Sequence, residues 1–103
     1  MKEGSAHVNQ TDSNGHTVLY TAARANQKDI VSWLLGNGAD PDISQRGGST
    51  ALHAACFYGH KEIVEMLLKH GANPELLNLR ALTPLDECPK HMKKAIKQLV
   101  KEV

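Results

Sequence analysis

The feature that most constrains this chain is a long repeat with a constant spacing. Threonine, leucine and isoleucine each recur at the same interval, in three columns: Thr17, Thr50 and Thr83; Leu19, Leu52 and Leu85; and Ile30, Ile63 and Ile96. A period of this length indicates stacked units that each bury an apolar face only against a neighbouring unit. The sequence therefore predicts a short solenoid.

Each unit carries two short helical patterns, and they are clearest in Gly48–Glu75. Thr50 is placed to cap the first helix, and Gly59 is placed to end it in a left-handed conformation. The second helix has one apolar stripe, formed by Ile63, Val64, Leu67 and Leu68, and Gly71 ends it. Neither helix is long enough to be stable alone in water, so both are expected to pack against neighbours.

These motifs resemble the ankyrin repeat, whose first helix begins with T-x-L-H-x-A. In this chain the motif reads TVLYTAA (Thr17–Ala23), TALHAAC (Thr50–Cys56) and TPLDECP (Thr83–Pro89), and the first two are followed by DIVSWLLGNGAD and EIVEMLLKHGAN. The resemblance covers roughly Asp12 to the C-terminus. It implies an all-α ankyrin-repeat solenoid of helix-turn-helix units joined by β-turn loops, with about three repeats.

The same spacing divides the chain into segments. Residues 12–44 and 45–77 are expected to form two full repeats, and residues 78–103 a C-terminal capping repeat. Residues 1–11 align with the end of a repeat and are interpreted as the remnant of a preceding one. Within the cap, Lys97 and Lys101 replace apolar residues of the columns that would face a following repeat. Pro89 is expected to end the first helix of the cap early.

Composition bounds the class of protein. With 103 residues, 41% of them hydrophobic, and a net charge of +1, the chain is expected to form one small domain. It contains no apolar run that could span a membrane and no apolar core of a signal peptide, so a cytoplasmic or nuclear location is expected. Cys56 and Cys88 occupy small-residue columns and are expected to be buried in place of alanine; a disulfide is the weaker alternative.

The sequence offers little catalytic chemistry. It contains no glycine-rich phosphate loop and no recognisable nucleophile motif, and its carboxylates are scattered. Six histidines raise the question of a metal, yet no pair has zinc-ligand spacing with the cysteines. The resemblance implies that His53 braces the turn by hydrogen bonds. We expect no catalysis, no cofactor and no metal.

The remaining candidate for function is a surface. The resemblance implies that a protein or peptide partner binds the concave side, formed by the turn tips and the exposed part of each first helix. Carried over column by column, that surface comprises Asn14, His16, Arg24, Arg46, Ser49, Phe57, Tyr58, Leu79, Arg80, Leu82 and His91. Phe57 and Tyr58 lie in columns that packing does not require to be apolar, and aromatic residues are enriched where binding energy concentrates. The alternative is that they merely shield helix ends.

Three other interpretations stay open. Four lysines lie along one side of the last helix and could meet nucleic acid or an acidic partner, although overall charge is nearly balanced and a solvated face is the simpler account: Lys90, Lys94, Lys97 and Lys101. The chain could also be a regulatory segment joined to an enzyme elsewhere in a longer polypeptide. At the N-terminal edge Ile30 stays apolar. We expect excision from a larger protein with weak self-association there, the alternative being that Met1–Thr11 folds back over Ile30.

Overall fold

The computed structural model of the protein describes residues 7–102. Five α-helices lie wholly within that range: α1 (Val18–Arg24), α2 (Lys28–Gly36), α3 (Ala51–Phe57), α4 (Lys61–Lys69) and α5 (Lys90–Glu102). A 3-10 helix, Leu85–Glu87, precedes α5. Extended pairing in the described range is confined to one isolated bridge between Thr11 and Thr17. The prediction of an all-α helix-turn-helix solenoid is confirmed.

The helices form two layers. In the first layer α1 packs on α3, and α3 packs on the 3-10 helix; in the second, α2 packs on α4, and α4 packs on α5. The predicted apolar stripe of α4 is buried between the layers, with Ile63, Val64 and Leu67 fully inaccessible to solvent. Ile96 of α5 is buried in the same core. Stacking of the units therefore supplies the burial that single short helices lack.

Capping threonines start the first helices. The Thr50 hydroxyl accepts the backbone N–H of His53, and the His53 ring accepts the backbone N–H of Thr50 at 3.0 Å. Thr17 caps α1 through the N–H of Tyr20 at 3.0 Å. In the cap the Thr83 N–H donates to the Asp86 carboxylate at 2.9 Å, and the Asp86 N–H donates back to the Thr83 hydroxyl. One threonine column thus fixes three helix starts.

The predicted left-handed residues end the first helices. Gly59 has φ of 73° and follows α3, while Asn26, in the same column, has φ of 60° and follows α1. Asparagine is one of the few residues besides glycine that tolerates this conformation. The second helices begin two residues later in both repeats.

The turn tips of successive repeats stack on one another. The Arg46 N–H donates to the Asn14 carbonyl at 3.1 Å, and one repeat later the Leu79 N–H donates to the Gly47 carbonyl at 2.9 Å. A side chain at Gly48, whose φ is 82°, would place its Cβ only 2.9 Å from the Leu79 nitrogen. Both the conformation and the close approach therefore require glycine at this position.

The first helix of the capping repeat is short, as was predicted from the presence of Pro89. Only the three residues of the 3-10 helix replace the seven-residue helices α1 and α3, and α5 already begins at Lys90. His91 was expected on the exposed part of a first helix; it lies instead in the first turn of α5, because the chain after Pro89 enters the second helix directly. Lys97 and Lys101 are exposed, as expected for an outer face.

The N-terminal segment contacts repeat one in a repeat-like manner. The Asn9 side-chain oxygen accepts the Asp40 N–H at 2.7 Å, and in the corresponding contact of the next repeat Asp42 accepts the Asn73 N–H at 2.9 Å. Val8 is buried in the core. The remnant interpretation of residues 1–11 stays a prediction, and its part on residues 1–6 lies outside the described residues.

Two cysteines sit in the core between repeat two and the cap. Cys56 and Cys88 are both buried and carry free thiols. Burial raises the pKa of both thiols above the ordinary value, so the neutral form is favoured. They occupy alanine columns, as the sequence predicted.

The packing predicts a large cost for Leu67→Ala. Because Leu67 is fully buried in the middle repeat, its truncation should lower the free energy of unfolding by about 2–5 kcal/mol. Chemical denaturation measures the change. Leu79→Ala is the matched control, since that leucine is 80% exposed and should leave the free energy nearly unchanged. Equal effects of the two substitutions would contradict the repeat register that places Leu67 in the core.

The Thr83–Asp86 cap predicts a dependence of stability on pH. Hydrogen bonds from Thr83 hold the pKa of the Asp86 carboxyl below its ordinary value of 3.8. The charged carboxylate therefore stabilises the fold above about pH 4, and this contribution disappears as the pH falls through the lowered pKa. Asp86→Asn should be less stable than the wild type at neutral pH, and the gap in denaturation midpoint should narrow as the pH falls below the ordinary pKa of 3.8. A gap that stays constant would contradict this role.

Candidate functional site

An open groove of about 360 Å³ runs across the first helices and the turn tips of all three repeats. Its wall and floor are formed by residues from α1, α3, the 3-10 helix and the connecting turns. We call it the groove, and it is lined by Tyr20, Arg24, Gln45, Gly47, Ser49, His53, Ala54, Phe57, Tyr58, Asn78, Leu79, Arg80 and Glu87.

The floor of the groove is held by His53. One ring nitrogen, Nδ1, accepts the Thr50 N–H, so Nε2 carries the proton and donates it to the Leu82 carbonyl at 2.9 Å. The ring is 1% exposed and joins repeat two to the turn of the cap. The hydrogen bonds that the resemblance implied for this histidine are present. Since both nitrogens are occupied, the ring serves as a brace.

At the end of the groove formed by repeat one, a tyrosine supports an arginine. The Tyr20 ring is nearly buried, stacks on His16 with centroids 4.7 Å apart, and lies 5.6 Å from the guanidinium carbon of Arg24. Burial of the ring raises the pKa of the Tyr20 phenol. The cation–π contact holds Arg24 at the groove with its charge exposed.

Two aromatic side chains form the middle of the groove. Phe57 and Tyr58 are each 53% exposed, and their rings meet edge to face with centroids 5.0 Å apart. The Tyr58 ring also stacks on His60 at 6.0 Å, and the His60 Nε2 lies 3.1 Å from the Arg24 carbonyl oxygen. These contacts fix the ring positions while half of each surface stays open to solvent.

The cap closes the other end of the groove with a polar network. Arg80 pairs with Glu87 at 2.9 Å, and the Asn78 amide donates to the second Glu87 oxygen at 3.3 Å and to the Ser49 hydroxyl at 3.2 Å. The Glu87 side chain is only 9% exposed. Its charge is therefore compensated inside the protein. Leu79 lies next to this network at the turn tip and is 80% exposed.

A column of side-chain acceptors braces the three turns. In each repeat a side-chain oxygen accepts the backbone N–H of the residue four positions later, and the pairs are Asp12 with His16, Gln45 with Ser49, and Asn78 with Leu82. The N–H groups of His16 and Asn14 lower the pKa of the Asp12 carboxyl. The backbone at the edge of the groove is thereby held in place before any ligand arrives.

The groove brings together six of the eleven residues that the sequence proposed: Arg24, Ser49, Phe57, Tyr58, Leu79 and Arg80. The other five do not line it. Asn14 and Arg46 lie in neighbouring turn tips, His16 packs beside Tyr20, Leu82 is half-buried, and His91 is on α5. Whether any of these residues binds a partner stays a prediction.

Sequence reasoning missed several lining residues, chiefly Tyr20, Gln45, Asn78 and Glu87. A signal was present for one of them. Tyr20 occupies the column of His53, the residue for which the resemblance implies a bracing role at the turn. No local sequence pattern predicts the pairing of Glu87 with Arg80.

Other kinds of site find little support in the described part of the chain. Residues 7–102 hold no group of three or more histidine, cysteine or acidic side chains placed to bind a metal ion. None of the helices in that range has the length and apolar character needed to cross a membrane. The exposed lysines of α5 form no ion pair within residues 7–102, in keeping with a solvated face.

Comparison with known proteins agrees with the architecture. A family model described as ankyrin repeats, in three copies, matches residues 1–78. A 33-residue stretch, 32% of this chain, is 54% identical to the ankyrin repeat domain-containing protein OPG015 of Monkeypox virus. The chain spans only 8% of the length of that relative. Because the family model covers most of the chain and the helices follow the same repeat register, the chain belongs to the ankyrin repeat family.

Proposed function

We propose that the protein binds a protein or peptide partner through the groove, without catalysis. Ankyrin repeats are generally protein-interaction modules. The observation that carries the proposal for this chain is the exposed aromatic pair, Phe57 and Tyr58, held open in the middle of the groove. Exposed aromatic side chains of this kind are enriched among the residues that dominate binding energy.

The side chains of the groove are already ordered without a partner, and this order supports tight binding at this site. His60 holds Tyr58, and the Asn78 network joins the cap to repeat two, so few groups would need to be ordered on binding. Fewer ordered groups mean a smaller entropic cost of association. The exposed Leu79 extends the apolar surface beyond the aromatic pair. A partner that covers both gains apolar burial at a low ordering cost.

We further propose that the chain acts in the cytoplasm or nucleus, because its two free buried thiols fit a reducing compartment. It acts either as an interaction module or as a regulatory segment of a multidomain enzyme. Both versions use the same groove, so one binding experiment serves both.

The first test is the double variant Phe57→Ala/Tyr58→Ala. Against a protein or peptide captured by the wild type, the variant should lose about 2 kcal/mol or more of binding free energy, which is roughly a 30-fold weaker Kd. Calorimetric titration measures the loss. Trp33→Ala is the matched control: this aromatic residue is also exposed, at 61%, but it lies on α2 outside the groove.

Three results would contradict the proposal. One is normal binding by the double variant, and another is an equal loss in Trp33→Ala. The third is salt-sensitive retention of nucleic acid that depends on Lys97 and Lys101, which would favour the basic face of α5 instead. Thermal unfolding of each variant shows whether a loss of binding reflects a loss of folding.

The N-terminal edge carries a separate proposal of weak self-association. Ile30 is 45% exposed, whereas Ile63 and Ile96, in the same column, are buried against a neighbouring repeat. Pairing of two copies through this edge would bury apolar surface. Sedimentation across a concentration series should show a rise in mass for the wild type that Ile30→Glu abolishes. A monomer at every concentration, with no difference between the two proteins, would contradict self-association.

A further inference from the structure

The charges of the groove do not cancel. Three charged side chains line it, and two of them, Arg80 and Glu87, pair with each other at 2.9 Å. None of the ion pairs within residues 7–102 includes the third, Arg24. The lining of the groove therefore holds one positive charge outside any ion pair, at the end formed by repeat one, where the exposed Asp12 carboxylate is near enough for its charge to interact with that of Arg24.

The single carboxylate of the groove is not open to a cationic ligand. Both Glu87 oxygens already accept hydrogen bonds, one from Arg80 and one from Asn78, and the side chain is 9% exposed. A lysine or arginine of a partner would have to displace Arg80 to reach it. The arrangement therefore disfavours a basic ligand.

Arg24 is placed to bind an anion. Its guanidinium carbon lies 5.6 Å from the centroid of the Tyr20 ring, and that ring stacks on His16 with centroids 4.7 Å apart. The ring supplies no acceptor for the five guanidinium N–H groups. Guanidinium groups held in this way bind carboxylates through two parallel hydrogen bonds.

We propose that the occupant of the groove is an extended peptide segment with an Asp or Glu carboxylate beside an aromatic or aliphatic side chain. The carboxylate pairs with Arg24, and the apolar side chain packs on Phe57 and Tyr58. The complementarity of charge selects this class over basic segments. The inference rests on the proposed function, because it names the partner of the same groove.

The test begins with a displayed library of short random peptides. Clones that bind the wild type but not Phe57→Ala/Tyr58→Ala are synthesised with a fluorophore, and their Kd is measured by fluorescence polarisation. The selected peptides should be enriched in Asp and Glu. Arg24→Ala should weaken their binding about tenfold or more, and Arg24→Lys should restore part of the loss.

A second variant tests the sign of the charge effect. Glu87→Gln removes the negative charge of the groove while keeping an acceptor for Asn78, so it should tighten binding of an acidic peptide several-fold. The same substitution would weaken a basic peptide. Lys61→Ala is the matched control, because this exposed cation lies at the start of α4, outside the groove, and should change the Kd less than about twofold.

Failure of the inference is distinguishable from failure of the proposed function. Should no peptide bind in a manner that depends on Phe57 and Tyr58, both fall. Should such peptides bind yet lack acidic residues, be enriched in Lys or Arg, or be insensitive to Arg24→Ala and Glu87→Gln, only the inference is overturned. Tighter, Arg24-dependent binding of a single-stranded oligonucleotide would also overturn it. Thermal unfolding confirms that each variant is folded.

Discussion

The fold depends on the hydrogen bonds that join the turn tip of one repeat to the turn tip of the next. The Arg46 N–H reaches the Asn14 carbonyl, and the Leu79 N–H reaches the Gly47 carbonyl, with the same register each time. Because the register is fixed, side chains one repeat apart in the sequence become neighbours across the stack. The groove is a direct product of this spacing, since its lining comes from three repeats that are remote in sequence.

Much of the fold could be predicted because its determinants are local. Thr50 caps a helix through a residue three positions away, Gly59 ends that helix, and the stripe that begins at Ile63 follows the helical period. Each of these signals acts within one or two turns of chain. The early end of the helix in the cap was also predictable, because the effect of Pro89 on the preceding backbone is steric and local.

The site was predicted only in part, for a physical reason. Phe57 and Tyr58 could be recognised as candidate binding residues because they occupy exposed columns, where packing does not require an apolar side chain. The partners of Arg80 could not, since its pairing with Glu87 depends on how the shortened 3-10 helix places that carboxylate. The support of Arg24 by Tyr20 was likewise missed, because Tyr20 stands in the column of His53, and that position gives no indication of a contact with an arginine. Contacts between side chains of different turns and helices leave no periodic signature.

The capping repeat has two roles in this account. Its outer face is charged, with Lys97 exposed, while its inner face completes the core through Ile96. It also supplies one end of the groove, where Asn78 and Arg80 meet Glu87. The His53 ring, bonded to the Leu82 carbonyl, ties this end to repeat two. Loss of the cap would therefore remove part of the groove as well as part of the core.

Amide chemical-shift mapping tests most directly whether a peptide binds in the groove. A groove-binding peptide titrated into isotopically labelled protein should shift the amide signals of Ser49, Ala54, Tyr58 and Leu79, and leave the indole signal of Trp33 and the amide signal of Lys97 in place. Shifts confined to α2 or to the lysine side of α5, with the groove signals unchanged, would contradict the account.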